Sequence, residues 1–173
     1  RRAMVDEITT ERLVMRRARA EDYDAIHALV DDFDVVKMTG SWPFPPDPDL
    51  ITRRSAPSDP ALGMVGPVFL AGELIGIVGA NSAAPEASAG ELGYMFARAH
   101  WGRGYATEIG RALIAHVWQR YGWEMITACV FDDNPASGRV LEKLGFAQTG
   151  HCTAYCTARA AELPTLTYRL DRP

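Results

Sequence analysis

Cysteine is scarce in this chain: 173 residues hold three, Cys129, Cys152 and Cys156. A disulfide scaffold carries more of them, in even number, in a shorter chain. His151-Cys152 and Cys156 would make half of a metal site, but a tetrahedral ion wants a second close pair, which the sequence lacks. Free thiols in a reducing compartment, and no metal, are the expectation. No apolar run approaches the roughly 18 residues that a membrane span needs, and the opening residues lack the apolar stretch of a secretory signal. A cytoplasmic location with no membrane partner follows as an expectation. Positive charge is not in excess either: 18 Lys and Arg against 22 Asp and Glu leave a net charge of -4. Nucleic acid would then need a local basic stripe, and none is visible.

What is present suits one globular domain. Hydrophobic residues make up 47% and charged residues 23% of the chain, enough to bury a core. One domain is expected over 4–173; Arg1-Arg2-Ala3, ahead of Met4, is read as a candidate expression remnant without structural meaning. Leu13 to Arg17 predicts a first strand. Tyr23, Ile26, Leu29 and Val30 form a helical stripe over Glu21 to Val30. Residues 40 to 62 hold most of the prolines and predict loop, with one helical turn near Asp49 to Arg54. Met64 to Leu70 and Glu73 to Ala80 meet at Ala71-Gly72 as an antiparallel hairpin. Glu91 to Phe96 predicts a fourth strand, and Gly104 to Tyr121 a long helix with Ile109, Leu113 and Val117 on its core face. Met125 to Phe131 predicts a central strand. A second sharp helix follows, capped by Asp133 or Asn134, opened by Pro135 and closed by Gly145. Strands near Phe146 to Gly150 and Thr165 to Leu170 complete a mixed-sheet α/β domain.

Chemistry enters at the turn between the fourth strand and the long helix, His100-Trp101-Gly102-Arg103-Gly104-Tyr105-Ala106-Thr107. Strand, glycine turn and helix start together aim backbone N–H groups and the positive helix end at an anion. Gly102 and Gly104 permit close approach, Ala106 keeps the next position small, and Arg103 adds a charge. A tight turn with glycines chosen only for their dihedrals explains the same residues, and the turn alone leans that way. A nucleotide triphosphatase is excluded, because no Lys-Ser or Lys-Thr follows the glycines. A dinucleotide fingerprint fails too, since Thr107 stands where a third glycine belongs.

Trp101-Gly102-Arg103-Gly104-Tyr105-Ala106 resembles the pyrophosphate-binding motif, Gln/Arg-x-x-Gly-x-Gly/Ala, of the GNAT-superfamily N-acetyltransferases. Asn134-Pro135-Ala136-Ser137 through Lys143-Leu144-Gly145-Phe146 resembles that family's Asn-bearing helix and Leu-Gly-Phe ending. Thr10-Glu11-Arg12-Leu13 and the Trp42-Pro43-Phe44-Pro45 loop are similar to the branch that acetylates N-terminal amines of ribosomal proteins. The ordered set spans nearly the whole chain.

This resemblance implies a GNAT-like fold: a central, mostly antiparallel sheet splayed between its fourth and fifth strands and flanked by about four helices. It implies direct transfer of acetyl from acetyl-CoA to a primary amine, with no acyl-enzyme and no cysteine nucleophile. Backbone groups around Met95, Phe96 and Arg98 would hold the pantetheine arm and polarise the thioester. Trp101 to Thr107 would cradle the pyrophosphate, although Trp101 stands where many relatives have Gln or Arg and so gives up a side-chain contact. Glu91 is the candidate base, directly or through water; a solvated carboxylate at a strand end explains it equally. Tyr94 would face opposite to Glu91 in a regular strand and packs there, or lines the acceptor site if the strand bulges. Many members carry a tyrosine acid seven residues after the helix asparagine, and here that position is Leu141. The ribosomal-protein branch has instead a serine three residues on, which is Ser137. Both Ser137 and Asn134 have plainer roles in the first turn of a helix; Asn134 is assigned to the cofactor, since Asp133 can cap.

Trp42 and Phe44 read as a wall for the acceptor amine, or as a shell over the core. Asp31, Asp32 and Asp34 read as an attraction for a cation, or as a solvated helix end. His100 reads as a surface residue, and Glu108 suits the helix dipole while pointing away from the pyrophosphate. The acceptor ranks as a protein N-terminus before a polyamine or aminoglycoside. A CoA-binding sensor without transferase activity is the alternative, supported by Leu141 and Trp101. Homodimers are common in the branch resembled.

Overall fold

The computed structural model describes residues 7–173; the remnant expected at Arg1–Ala3 and the first residues of the expected domain lie outside them. The strands are β1 (Glu7–Thr9), β2 (Leu13–Arg16), β3 (Gly63–Leu70), β4 (Glu73–Asn81), β5 (Ala89–Phe96), β6 (Met125–Phe131), β7 (Ala147–Cys156) and β8 (Ala161–Asp171). The helices are α1 (Tyr23–Val30), α2 (Phe33–Val36), α3 (Pro48–Arg54), α4 (Tyr105–Arg120) and α5 (Pro135–Lys143). All eight strands form one sheet in the order β1-β2-β3-β4-β5-β6-β8-β7. Every neighbouring pair is antiparallel except β5 with β6.

That exception positions the site. β5 and β6 pair only at Ala89↔Met125, Gly90↔Ile126 and Glu91↔Thr127, and beyond those residues they part. Glu91 therefore stands at the fork. At the closed end Glu124 N–H donates to the Ser88 carbonyl at 2.7 Å. There the Trp123 ring fills the space beside Gly90, where an added Cβ would lie 2.3 Å from a ring carbon. Trp123 is 2% exposed and stacks on Tyr121 at 4.8 Å between centroids, so it has nowhere to retreat.

Two cores cover the two faces of the sheet. Leu92 and Phe96 face one way and join Tyr105, Ile109, Leu113 and Val117 of α4 and Leu141 of α5. Met95 faces the other way and joins Ile26, Leu29 and Val30 of α1, Val35 and Val36 of α2, and Ile51 of α3. The alternation of Met95 and Phe96 between the two clusters is the period of a regular strand. Pro135 at the first position of α5 and Gly145 (φ +96°) just past its end bound that helix as expected. The Phe146 N–H returns to the Leu141 carbonyl at 3.0 Å, closing the left-handed C-terminal motif.

Several boundaries differ from the sequence expectation. β1 is an additional strand, so the expected fourth and fifth strands are β5 and β6. The helix expected over Glu21 to Val30 begins as a 3-10 turn, Ala20–Asp22. Of Asp31, Asp32 and Asp34, the first closes α1 as its C-cap, the second is the N-cap of α2, its side chain accepting from the Asp34 N–H at 3.0 Å, and only Asp34 lies within α2. Among the described residues five helices stand where about four are expected. β7 and β8 form a longer hairpin than predicted, because the turn between them carries no glycine, proline or asparagine signal; Ala160 takes the positive φ of +50° instead. Cys156 is buried at the end of β7, its thiol donating to the carbonyls of Lys37 and Thr39 at 3.4 and 3.3 Å.

Gly90→Ala should destabilise the chain by about 1–3 kcal/mol through overpacking against Trp123. Urea denaturation followed by Trp fluorescence measures it; a variant as stable as the parent would mean that Trp123 does not lock the closed end.

Candidate functional site

A cleft of about 1080 Å³ opens where β5 and β6 part. It is lined by Trp42, by Glu91 through Phe96, by Arg98, by His100 through Thr107, and by Asn134 and Ser137. Of the side chains predicted for the site, Phe44 alone does not line the cleft. It is 41% exposed and packs edge-on against Phe33 with ring centroids 5.5 Å apart. Trp42 is buried, with the Arg54 guanidinium 4.3 Å above its ring.

The glycine turn has the geometry that an anion site needs. Gly102 and Gly104 have φ of +73° and +80°, a left-handed backbone that only glycine adopts without strain. Gly104 is the N-cap of α4, and no side chain caps that end. The first-turn amides of a helix have no partner inside it, so those after Gly104 open into the cleft. Tyr105 is buried in the core and Ala106 packs against it, so backbone and not side chain is what these positions present. Arg103 is exposed at the rim. Trp101 is 48% exposed, and its indole N–H turns back to the Phe96 carbonyl at 2.7 Å.

The backbone donors and acceptors along β5 need one correction. The Ala97 N–H donates to the Ile75 carbonyl at 2.8 Å. In an antiparallel ladder such bonding alternates, so Met95 opposite Ile77 is bound back to β4. Leu92, Tyr94 and Phe96 are the residues that turn main-chain groups toward the gap, and the Phe96 carbonyl already serves Trp101. Arg98 is held by its side chain: its Nε lies 3.0 Å from Asp32 Oδ2 and its Nη1 3.2 Å from Asp34 Oδ2. Lys37 adds a 2.9 Å ion pair to Asp34. Asp32 and Asp34 are thus neutralised, and the expected attraction for a cation loses both.

Glu91 and Tyr94 lie on opposite faces of β5, as their spacing predicts. Glu91 is exposed on the face of Met95, beside Gly93, whose position would leave an added Cβ with nothing within 4 Å. Tyr94 is on the α5 face. Its Oη lies 2.7 Å from Ser137 Oγ and donates to the Ser137 carbonyl at 3.2 Å. Burial pushes the Tyr94 hydroxyl up to about 12, against the opposing effect of its bond with Ser137. Position 141 offers no such group, since Leu141 is fully buried in the core. The sequence does not announce this hydroxyl pair. Strand parity puts Tyr94 on the correct face, but only the approach of α5 brings Ser137 to it.

Of the two candidate caps, Asn134 and not Asp133 takes the role, while Asn134 also lines the cleft. The Asn134 Oδ1 accepts from the Ser137 N–H at 3.4 Å as the N-cap of α5. Asp133 is drawn off by Arg159, which bonds its two oxygens at 2.5 and 3.3 Å and lowers its pKa. His100 is half-buried and not a free surface residue: its ring lies 6.1 Å from Tyr105, and its buried Nδ1 has no hydrogen-bond partner. Among the described residues no group of three or more His, Cys, Asp or Glu could hold a metal, and no helix is long and apolar enough to cross a membrane.

If the turn holds the CoA that the resemblance implies, Gly104→Val should remove the thermal stabilisation expected from that ligand, because the φ of +80° is strained for any side chain and more so for a β-branched one. The unliganded variant should stay folded, with stability lower by about 1–2 kcal/mol. Unchanged stabilisation by CoA in a folded variant would retire the turn as its binding place.

The family pattern described as acetyltransferase (GNAT) domain matches residues 12–147. The N-acetyltransferase YoaA of Bacillus subtilis is 27% identical over 183 residues, covering 96% of this chain and 97% of that protein. Among solved structures, the ribosomal L7/L12 alpha-N-protein acetyltransferase RimL in complex with coenzyme A superposes with a TM-score of 0.83 at 18% identity, over 95% of this chain and 97% of that one. The ribosomal-protein-S5-alanine acetyltransferase of Vibrio fischeri gives 0.79 at 17% identity, over 96% and 99%. At those identities the two structures show the shared fold.

Proposed function

The chain belongs to the acetyltransferase (GNAT) domain family, and from that premise we propose that it moves acetyl from acetyl-CoA directly to a primary amine, the N-terminal amine of a protein. The carrying observation is the uncapped start of α4 at Gly104, opening into a cleft that continues to the fork between β5 and β6. A diphosphate satisfies such a helix start, and the gap between the strands is where an extended arm can reach from it toward Glu91.

Bound acetyl-CoA supplies a thioester; the residues of the chain must handle one proton from the amine and the charge on oxygen and sulfur. Glu91 at the fork takes the proton, directly or through a water. An α-amine asks less of such a base than a lysine does. With a pKa near 8, about a fifth or more of such amines are neutral at pH 7.5, against roughly one lysine in a thousand at pKa 10.4. Gly93 leaves the floor beside Glu91 bare, and Trp42 forms a wall of the same cleft. Main-chain N–H groups turned into the gap from Tyr94 and Phe96, beyond the last residue of β5 paired with β6, are placed to support an oxyanion. On the other face the Ser137 hydroxyl donates to the departing thiolate, with Tyr94 holding its oxygen. A thiol near 8.5 does not draw the proton from a hydroxyl at about 12. Tyr94 therefore acts as a hydrogen-bond donor and not as the acid.

Release of CoA with a panel of acceptors tests the substrate: peptides with a free N-terminus, the same peptides N-blocked but bearing lysine, polyamines and an aminoglycoside. Turnover with the free N-termini is expected. Turnover confined to polyamine or aminoglycoside would move the acceptor to small amines, and cofactor binding with no CoA release would make the chain a sensor.

Glu91→Gln should slow transfer most near pH 6, where the neutral amine is scarce, and converge on the parent above about pH 9. A variant matching the parent at every pH would leave Glu91 a structural carboxylate. Ser137→Ala should lower kcat by tenfold or more, on the order seen for loss of one donor to a developing charge. Tyr94→Phe should lower it less, and by nothing further once Ser137 is gone. Additive losses would separate the two hydroxyls.

A further inference from the structure

We propose that Arg12 is a positioning residue for the diphosphate of acetyl-CoA: it neutralises Glu108 and holds that carboxylate aside, so that the start of α4 presents its field to a ligand and not to an internal anion. This rests on the acetyl-CoA reading above. It also gives a role to Thr10-Glu11-Arg12-Leu13, a motif that the transfer chemistry leaves without one.

The difficulty that Arg12 resolves is built into α4. A helix start attracts one negative charge, and Glu108 already occupies the first turn. Left free, that carboxylate would satisfy the helix end and repel a diphosphate. Glu108 is instead taken by the turn between β1 and β2, 96 residues earlier in the chain. Thr10 Oγ1 donates to Oε2 at 2.6 Å, the Arg12 N–H donates to Oε2 at 3.0 Å, and Arg12 Nε donates to Oε1 at 2.7 Å. Burial alone would raise the Glu108 pKa, but these bonds outweigh it and lower the value. Glu108 accordingly remains an anion and needs a permanent counter-charge.

The same guanidinium reaches the other side of the helix start. Arg12 Nη1 donates to the Arg103 carbonyl at 3.2 Å, and its plane lies 4.5 Å from the Tyr105 ring. Its Nη2 is 3.6 Å from where a Cβ on Gly104 would be, the nearest atom to that point. One planar, forked cation thus touches Arg103, the edge of Gly104, Tyr105 and Glu108 together. A lysine, a point charge on a flexible stem, cannot make these contacts at once.

The test compares wild type, Arg12→Gln, Glu108→Gln and the double variant by calorimetric titration with CoA and with pantetheine, which has no diphosphate. Arg12→Gln should weaken CoA about tenfold at low salt, as one uncompensated charge nearby requires, and leave pantetheine unchanged; the loss should shrink at high salt. The double variant should recover most of the affinity, and Glu108→Gln alone should bind CoA at least as tightly as wild type. A double variant no better than Arg12→Gln overturns the proposal, as does Arg12→Gln binding CoA like wild type. Should Arg12→Gln fail to fold, Glu108→Gln decides: weaker CoA binding overturns the role, and equal or tighter binding upholds it. If wild type itself holds CoA no more tightly than pantetheine, the diphosphate cradle fails, and this role falls with it.

Discussion

The separation of β5 from β6 is the constraint on which the rest of this molecule depends. Two parallel strands pair for three residues and then diverge, which leaves main-chain groups of Leu92 and Tyr94 facing a gap in the middle of a sheet. Such groups are costly when buried without partners, so a gap of this kind persists only where the surroundings hold it open. Here the closed end is locked by Trp123 against Gly90, and β6 remains fully paired to β8 along its other edge. The helices that follow β5 and β6 then deliver their N-terminal ends to the two sides of one cleft. That arrangement of backbone leaves the cleft to which the proposed ligand, long and partly anionic, is assigned.

Capping is handled differently at the two helix starts, and the difference assigns their roles. At α5 the cap is internal: Asn134 accepts from Ser137, and Asp133 is removed from competition by Arg159. The end of α5 is thereby satisfied, and its contribution to the cleft is a side chain, the Ser137 hydroxyl held by Tyr94. At α4 the cap position is a glycine with nothing to offer, and the acid of the first turn is pulled aside by Thr10 and Arg12. Its contribution is backbone and field. Charge around α2 is also largely settled internally, because Arg98 and Lys37 engage Asp32 and Asp34. Glu91 is left as the exposed carboxylate at the fork.

Much of the candidate site is legible in the amino-acid sequence, for local reasons. Gly102 and Gly104 announce left-handed backbone, Pro135 and Gly145 mark the ends of a helix, and period-2 alternation puts Glu91 and Tyr94 on opposite faces of one strand. Where sequence and structure disagree, the cause is different. Phe44 is near Trp42 along the chain, which suggests a shared wall, but it packs on Phe33 outside the cleft. Asp133 suits a helix cap by its position, and Arg159, which takes it, is distant in sequence. Met95 adjoins Phe96, yet ladder alternation makes adjacent residues point main-chain groups to opposite edges. Each disagreement concerns a partner contributed by another part of the chain.

The amino-acid sequence by itself determined the class of fold, the order of the elements other than β1 and α2, and the backbone shape of the glycine turn, since propensity, periodicity and dihedral preference act over a few residues. Tertiary structure alone decided that Arg12 answers Glu108, that Tyr94 meets Ser137, and that Arg159 takes Asp133. Those are meetings of groups tens of residues apart. They arise when the sheet and its helices close into one body, and no local pattern encodes them.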